Sequence, residues 1–147
     1  MKKKLFLLLI ATLAFTACKK DKTDNVEADI IGKWNEKTLY YEYYNSAGTK
    51  VFSETDQGDG TWEFTATTAT NTPTSSTPLS SEYRIRNVNG KKIIFFARSS
   101  MTSDVEMEII SLTKNSMIWS GSVTDVEYYN GGVKTAAKST LTVTFAR

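Results

Sequence analysis

The strongest constraint on the fold is an uninterrupted alternation of apolar and hydroxyl side chains near the end of the chain. The apolar set is Leu141, Val143 and Phe145, and the polar set is Thr140, Thr142 and Thr144. Successive side chains of a β-strand point to opposite faces, so a period of two predicts a strand with one buried face. Similar alternation, interrupted by turn residues, recurs from Gly32 onwards. The sequence therefore predicts an all-β fold with little helix.

Turn residues divide this part of the chain into eight predicted strands. They are residues 32–44, 49–55, 61–66, 81–88, 91–98, 105–112, 117–129 and 133–147. Asn89-Gly90 is the strongest turn signal, because a type I′ hairpin turn needs positive φ at both central residues. Asp56–Gly60 predicts another hairpin turn, since its two acids and two glycines lack the regular spacing of a calcium loop. Residues 67–78 contain both prolines and predict an open loop.

Eight antiparallel strands joined in order either leave two free edges or close into a barrel. Closure removes the edges, which is how antiparallel proteins avoid unwanted strand pairing. We therefore predict an eight-stranded, antiparallel up-and-down β-barrel over residues 29–147, with an interior that is filled or holds one small ligand. A β-sandwich remains the alternative, because both architectures show a period of two.

The N-terminus has the order of features found in a secretory leader. Lys2–Lys4 are positively charged, and the apolar run Leu5–Phe15 is too short to span a bilayer permanently. Small residues then precede Cys18, so residues 1–17 resemble a bacterial lipoprotein signal peptide. The resemblance implies cleavage before Cys18, which then carries a diacylglycerol and an acyl chain such as palmitate. The alternative, an ordinary secretory signal, would leave a lone thiol.

Residues 18–28 are charged and have no apolar periodicity, so we expect a lipidated, flexible tether. The alternating lysines and acids after Cys18 are similar to the surface-export signals of Bacteroidetes lipoproteins, although a plain spacer would have the same composition. We therefore predict a protein that its lipid holds to the outer membrane, at the periplasmic face or the cell surface.

The residue types argue against catalysis, metal binding and nucleic-acid binding. The chain has no histidine and its one cysteine is the predicted lipid site, which excludes Ser-His-Asp and Cys-His arrangements and the usual zinc ligands. The carboxylate pair Glu106 and Glu108 belongs to the polar face of its predicted strand, where a surface charge ladder is expected. Without Lys2–Lys4 the 18 basic residues fall to 15 against 16 acidic ones, so no basic excess favours nucleic acid. We predict no enzyme, no cofactor and no metal site.

Gly32-Lys33-Trp34, at the start of the first predicted strand, resembles the Gly-x-Trp signature of lipocalins and related calycin barrels. The wider layout, with a glycine-rich turn and aromatic strand at Gly58–Phe64 and the run Glu108–Met117, is similar to lipocalin-like lipoproteins of Bacteroidetes. This resemblance covers most of residues 30–147. It implies a barrel base closed by Gly32, Trp34 and a basic residue of the last strand. Arg147 has the parity of the buried residues there, so we predict a cation–π contact between Arg147 and Trp34.

Aromatic side chains are the candidates for a ligand site. Tyrosine and tryptophan rings stack on sugars and apolar molecules, but on strands they also serve as plain barrel wall or core. The candidates are Tyr41, Tyr43, Trp62, Phe64, Trp119, Tyr128 and Tyr129. The resulting hypothesis is an envelope lipoprotein that binds a small apolar or amphipathic molecule, or a glycan. The alternative is a filled barrel that contacts another envelope protein, and an aromatic-lined cavity above about 300 Å³ would favour ligand binding.

Overall fold

A computed structural model of the protein describes residues 25–97 and 105–147. Within these ranges it contains one short helix and nine strands: α1 (Val26–Asp29), β1 (Gly32–Tyr44), β2 (Lys50–Gln57), β3 (Thr61–Phe64), β4 (Thr68–Thr72), β5 (Leu79–Val88), β6 (Lys91–Ala97), β7 (Val105–Leu112), β8 (Ser116–Tyr129) and β9 (Val133–Ala146). The predicted leader, Cys18 and the tether up to residue 24 lie outside the described residues. No helix in the described ranges is long and apolar enough to cross a membrane.

The strands form one antiparallel sheet that closes on itself. Strand β1 pairs with β9 along a register that runs from Asn35↔Ala146 to Tyr44↔Lys138, which joins the first strand to the last. Strands β2 and β3 lie one after the other along the opposite edge of β1, so nine strands fill eight positions. The predicted closed, eight-stranded antiparallel barrel is confirmed. Pairing of the first and last strands excludes the β-sandwich.

The predicted hairpin turn at Asp56–Gly60 is wrong. Strands β2 and β3 are both antiparallel to β1, so the chain continues in one direction through a bulge. Backbone hydrogen bonds to β1 persist across this bulge, from Gly58 N to Lys37 O at 3.0 Å and from Glu36 N to Gly60 O at 2.9 Å. The glycines here allow β2 and β3 to lie close against β1. Because reversing turns are also rich in glycine, the composition of this segment does not distinguish a bulge from a turn.

The predicted open loop at residues 67–78 is also wrong in part, because its first half forms β4. This strand pairs with β3 through Phe64↔Ala69 and with β5 through Ala69↔Ser81. Ala69 is 1% exposed and is the only buried residue in the strand. With one small apolar residue among threonines and an asparagine, the segment lacks the hydrophobic alternation that identifies a strand.

Alternating connections give the barrel two different ends. Helix α1, the turns at 65–67, 89–90 and 113–115 and the C-terminal Arg147 lie at one end, which we call the base. The turns at 45–49, 73–78 and 130–132 lie at the other end, the mouth. At the base, Asn89 and Gly90 have φ values of 52° and 82°, as a type I′ turn requires.

A densely packed layer fills the barrel next to the base. Its largest fully buried side chains are Trp34, Phe64, Ile30, Ile94 and Met117. Val143 and Phe145 are also buried, in agreement with the period of two in the last strand. Residues 26–28 of the predicted tether form the start of α1, and Val26 is buried. The layer separates the base from the upper half of the barrel interior.

Candidate functional site

The base is closed by Trp34 and Arg147. The Trp34 indole is completely buried, and its Nε1 donates a hydrogen bond to Ile30 O at 2.7 Å. The Arg147 guanidinium carbon lies 4.0 Å from the centre of the Trp34 ring, which confirms the predicted contact. The same guanidinium donates to the carbonyl oxygens of Asp29 at 2.8 Å and Ile31 at 2.6 Å. The chain before β1 is thereby fastened to the end of β9.

Gly32 makes this arrangement possible. Its φ of +121° belongs to a region that side chains with a Cβ rarely adopt. A Cβ at this position would also stand 3.5 Å from Arg147 Nη2, in contact with the guanidinium. The Gly-x-Trp signature therefore combines a backbone bend at its glycine with a buried stacking partner at its tryptophan.

Above the packed layer, the barrel interior contains a cavity of about 330 Å³. Its described lining consists of three aromatic, seven aliphatic and three polar side chains. The aromatic ones are Trp62, Phe96 and Trp119; the aliphatic ones are Leu39, Ala69, Leu79, Val105, Met107, Leu141 and Val143; the polar ones are Glu36, Asn71 and Ser81. The cavity is thus largely apolar, with a few polar groups able to orient an occupant.

The indole of Trp119 is buried beside the cavity. Its side chain is 2% exposed, and its Nε1 has no hydrogen-bond partner among the described residues. The ring is held edge-to-face against Phe145 at 4.6 Å and Trp62 at 5.0 Å between centroids. A buried donor without an acceptor costs free energy. Less than 1 Å² of this nitrogen's surface is accessible, so an occupant of the cavity would contact the ring of Trp119 and not its N–H.

Glu36 is the charged residue in the cavity wall. Its carboxylate accepts a hydrogen bond from Trp62 Nε1 at 2.7 Å and one from Gly60 N at 3.3 Å. A bulge at Lys37 shifts the register between β1 and β9, so that Glu36 on one side and Leu39 on the other both face the interior. Two neutral donors therefore hold a carboxylate inside the barrel.

Towards the mouth, four aromatic rings form a stack that we call the mouth cluster: Tyr41, Tyr43, Phe52 and Tyr128. The Tyr43 ring centroid lies 4.6 Å from that of Tyr128, 5.9 Å from Phe52 and 6.4 Å from Tyr41, and the centroids of Phe52 and Tyr128 are 5.4 Å apart. The Tyr43 hydroxyl donates a hydrogen bond to Glu54 Oε1 at 2.7 Å. The cluster thus links β1, β2 and β8 beside an acidic side chain.

Burial and nearby carboxylates raise the pKa of two phenols in this cluster. For Tyr43, desolvation raises the pKa most, followed by the hydrogen bond to Glu54. For Tyr41, desolvation again raises the pKa most, followed by the negative charges of Asp56, Glu54 and Glu36. Both phenols are therefore protonated and neutral at physiological pH.

The structure separates the predicted ligand-site residues into four groups. Trp62 and Trp119 line the cavity, and Tyr41, Tyr43 and Tyr128 belong to the mouth cluster; Phe64 lies in the packed layer below at 1% exposed, and Tyr129 is 71% exposed. Sequence reasoning missed Glu36 and Phe52. A usable signal existed for Glu36, which has the parity of Trp34, but Phe52 is identified only by its register with Tyr43.

Fold and site together define a closed β-barrel with a largely apolar cavity. Comparison of the chain with family models, with curated proteins and with solved structures found no match. Within the described residues, no three or more acidic, histidine or cysteine side chains are grouped closely enough to hold a metal ion.

Proposed function

We propose that this protein is a binding protein of the lipocalin-like kind, rather than an enzyme, and that its barrel holds one small amphipathic molecule. The observation that carries the proposal is the largely apolar cavity of about 330 Å³, whose lining includes Trp62, Phe96 and Trp119. Ligand sites for small molecules begin at about 300 Å³ and are mostly apolar with a few polar groups. A barrel that served only as a structural or protein-interaction module would gain stability by filling this space.

The wall chemistry specifies the ligand further. An apolar body would pack against the three aromatic rings and the aliphatic side chains of the wall. Among the described residues, Glu36, Asn71 and Ser81 are the polar side chains of the wall. A glycan, which needs many hydrogen bonds, fits this wall less well than an apolar or amphipathic molecule.

Filling the cavity is expected to weaken binding without unfolding the barrel. In Ala69→Leu, the added carbon atoms would project from β4 into the cavity, because Ala69 lines it. We expect the affinity for a neutral dye such as N-phenylnaphthylamine to fall about tenfold or more, the ratio that corresponds to 1.4 kcal/mol of binding free energy. Dye fluorescence on titration measures the affinity, and thermal unfolding monitored by circular dichroism verifies that the variant is folded.

Thr70→Leu is the matched control, because Thr70 is the next residue of β4 and its hydroxyl bonds to Ser80 on the outer face. It adds similar bulk outside the barrel and should leave dye affinity unchanged. Equal dye binding by wild-type protein and Ala69→Leu would count against an occupied cavity. Native mass spectrometry of protein purified from its own cells would then identify the natural occupant as a mass adduct.

We also propose that the protein is a lipoprotein held to the outer membrane through Cys18. The support is the order of basic residues, short apolar run and small residues before that cysteine. Mass spectrometry of the N-terminal peptide from native membranes should show a chain that starts at Cys18 and carries a diacylglycerol and an acyl group. Cys18→Ser should lose this modification and leave the membrane fraction. An N-terminal peptide with an unmodified thiol would contradict the proposal.

A further inference from the structure

We propose that the barrel stands with its base towards the membrane that anchors it, so that the mouth and the cavity behind it open to water on the far side. This inference rests on the proposed lipid at Cys18 and adds the direction from which a ligand enters. It depends on where the described chain begins, how firmly that beginning is held, and how far Cys18 can lie from it.

The described chain begins at the base. Its first residue, Asn25, lines a surface depression together with Asn87 and Lys92, which flank the base turn at 89–90. Helix α1 follows directly, and the side chain of Val26 is 8% exposed. The tether therefore joins the barrel at the end opposite the mouth.

The junction between tether and barrel is firmly held. Ile30 is completely buried, and its carbonyl oxygen accepts the hydrogen bond of Trp34 Nε1 at 2.7 Å. The Arg147 guanidinium donates to Asp29 O at 2.8 Å and to Ile31 O at 2.6 Å. Releasing this segment would break the contacts that close the base, so α1 stays with the barrel and does not lengthen the tether.

The chain between Cys18 and Asn25 is shorter than the barrel is tall. Seven Cα–Cα steps separate the two residues, and even a fully extended chain covers only about 25 Å in seven residues. Strand β1 has 13 residues, so at about 3.3 Å per residue and a tilt of about 40° it rises about 30 Å along the barrel axis. An inverted barrel would hold Asn25 at least that far from the membrane. The tether therefore excludes an inverted barrel.

The outer wall of the barrel gives little reason for the molecule to lie on its side. Lys33 pairs with Glu63 at 3.7 Å on this wall, and Lys91 pairs with Glu108 at 2.8 Å. These charges are already matched within the protein and exposed to water, so a bilayer surface adds little to them. The base, where the tether is attached, remains the end nearest the membrane.

The cavity opens at the other end. Leu79, the first residue of β5 after the mouth turn at 73–78, lines the cavity and is 69% exposed. Below the cavity, the packed layer that includes Trp34 and Phe64 blocks a path from the base. An occupant therefore enters through the mouth, past Leu79.

The mouth would be the apolar end of an untethered barrel. Tyr129 and Val133, on either side of the mouth turn at 130–132, are each 71% exposed, and Leu79 is nearly as exposed. Exposed apolar side chains favour contact with a membrane. The short tether opposes that preference, so lengthening the tether should change which end lies closer to the bilayer.

The test places one fluorescent label at each end of the anchored protein. Cys18 is the only cysteine of the chain, and its acylated sulfur does not react with a thiol label. Lys114→Cys thus labels a base turn and Ser46→Cys a mouth turn. The lipidated full-length variants are reconstituted into vesicles of phosphatidylethanolamine and phosphatidylglycerol that carry an acceptor dye on a headgroup. Because the two positions differ by about 30 Å in height, energy transfer should be about twofold or more stronger from position 114 than from position 46.

A longer tether should remove this difference. A Gly-Ser spacer of about 20 residues between Asp24 and Asn25 adds a reach of about 25 Å, enough to let the mouth meet the bilayer. We expect transfer from position 114 to fall and transfer from position 46 to rise. The same spacer between Gly131 and Gly132 is the matched control, because it extends a mouth turn and leaves the tether unchanged. It should preserve the difference. Thermal unfolding verifies that each variant is folded.

The outcomes separate this inference from the proposed lipid anchor. Equal transfer from the two positions of the vesicle-bound protein, or stronger transfer from position 46, would overturn the orientation and leave the anchor intact. A difference that survives the longer tether, or that is lost in the Gly131–Gly132 control, would also overturn it. If the chain is not acylated at Cys18 and does not bind the vesicles, the anchor fails and the inference fails with it.

Discussion

Replacing Trp34 with alanine is expected to lower the free energy of unfolding by about 3–5 kcal/mol, the range for large aromatic residues removed from a core. Trp34 is completely buried, and its indole donates a hydrogen bond to Ile30 and stacks under the Arg147 guanidinium at 4.0 Å. The substitution leaves a void at the base, removes the hydrogen-bond donor of Ile30 O, and removes the aromatic ring on which the Arg147 guanidinium stacks. Urea denaturation monitored by circular dichroism measures the loss.

Ile31→Ala is the control for this experiment. Ile31 belongs to the same segment but is 43% exposed, so the substitution should change stability by about 0.5 kcal/mol or less. Trp34→Phe should lie between the two, because it keeps a ring for Arg147 and loses the bond to Ile30. If Trp34→Ala costs no more than Ile31→Ala, the base is not held together by this tryptophan.

Gly58→Ala is expected to destabilise the barrel by about 1–3 kcal/mol, the usual cost of forcing extra atoms into a packed region. A Cβ on Gly58 would stand 2.6 Å from Glu36 Cβ, 2.7 Å from Glu36 C and 2.8 Å from Lys37 N. These atoms belong to β1 or are fixed directly to it, so the clash is relieved only by moving a strand. The same urea titration measures the effect.

Gly60→Ala isolates the cause, because Gly60 lies in the same bulge. Its added Cβ would stand 2.8 Å from Glu36 Oε2, at the end of a side chain that can move by giving up its hydrogen bonds to Trp62 and Gly60, whereas backbone atoms cannot. Neither glycine has a φ in the left-handed region, so the two variants differ in space and not in backbone strain. A larger loss in Gly60→Ala than in Gly58→Ala would contradict this account of the bulge.

Local patterns in the sequence predicted the features of this protein that depend on neighbouring residues alone. The alternation around Val143 requires one buried face, and Asn89-Gly90 specifies its turn through backbone conformation. The contact between Trp34 and Arg147 was predicted from a family resemblance combined with strand parity. The first two constraints act within a few residues, whereas the third needed the family resemblance to identify the distant partner.

Features that depend on a distant partner were not predictable in the same way. Whether Asp56–Gly60 reverses the chain or forms a bulge depends on β1, which offers Lys37 O and Glu36 N as partners. Strand β4 is held by β3 and β5 and has little hydrophobic signal of its own. The two errors compensate in the strand count: β4 is an additional strand, while β2 and β3 share one position.

The candidate site, like the fold, was predictable only in part. Trp62 and Trp119 were identified as aromatic residues on strands, and both line the cavity. Trp34 has an even position and Tyr41 an odd one, so a regular strand would place them on opposite faces. Both face inwards because of the bulge at Lys37, and no residue type in the sequence predicts that bulge. The inner position of Asp56 follows from its register with Leu39, which the sequence does not reveal.

The pairing of β1 with β9 also determines how the molecule must assemble. It joins Asn35 to Ala146 across 111 positions of the chain, so ring closure is among the least local events in folding. Chains dominated by such contacts fold slowly, over milliseconds to seconds. Until β9 is in place, β1 and β8 each present an open edge to other unfinished chains, so aggregation competes with closure at this step.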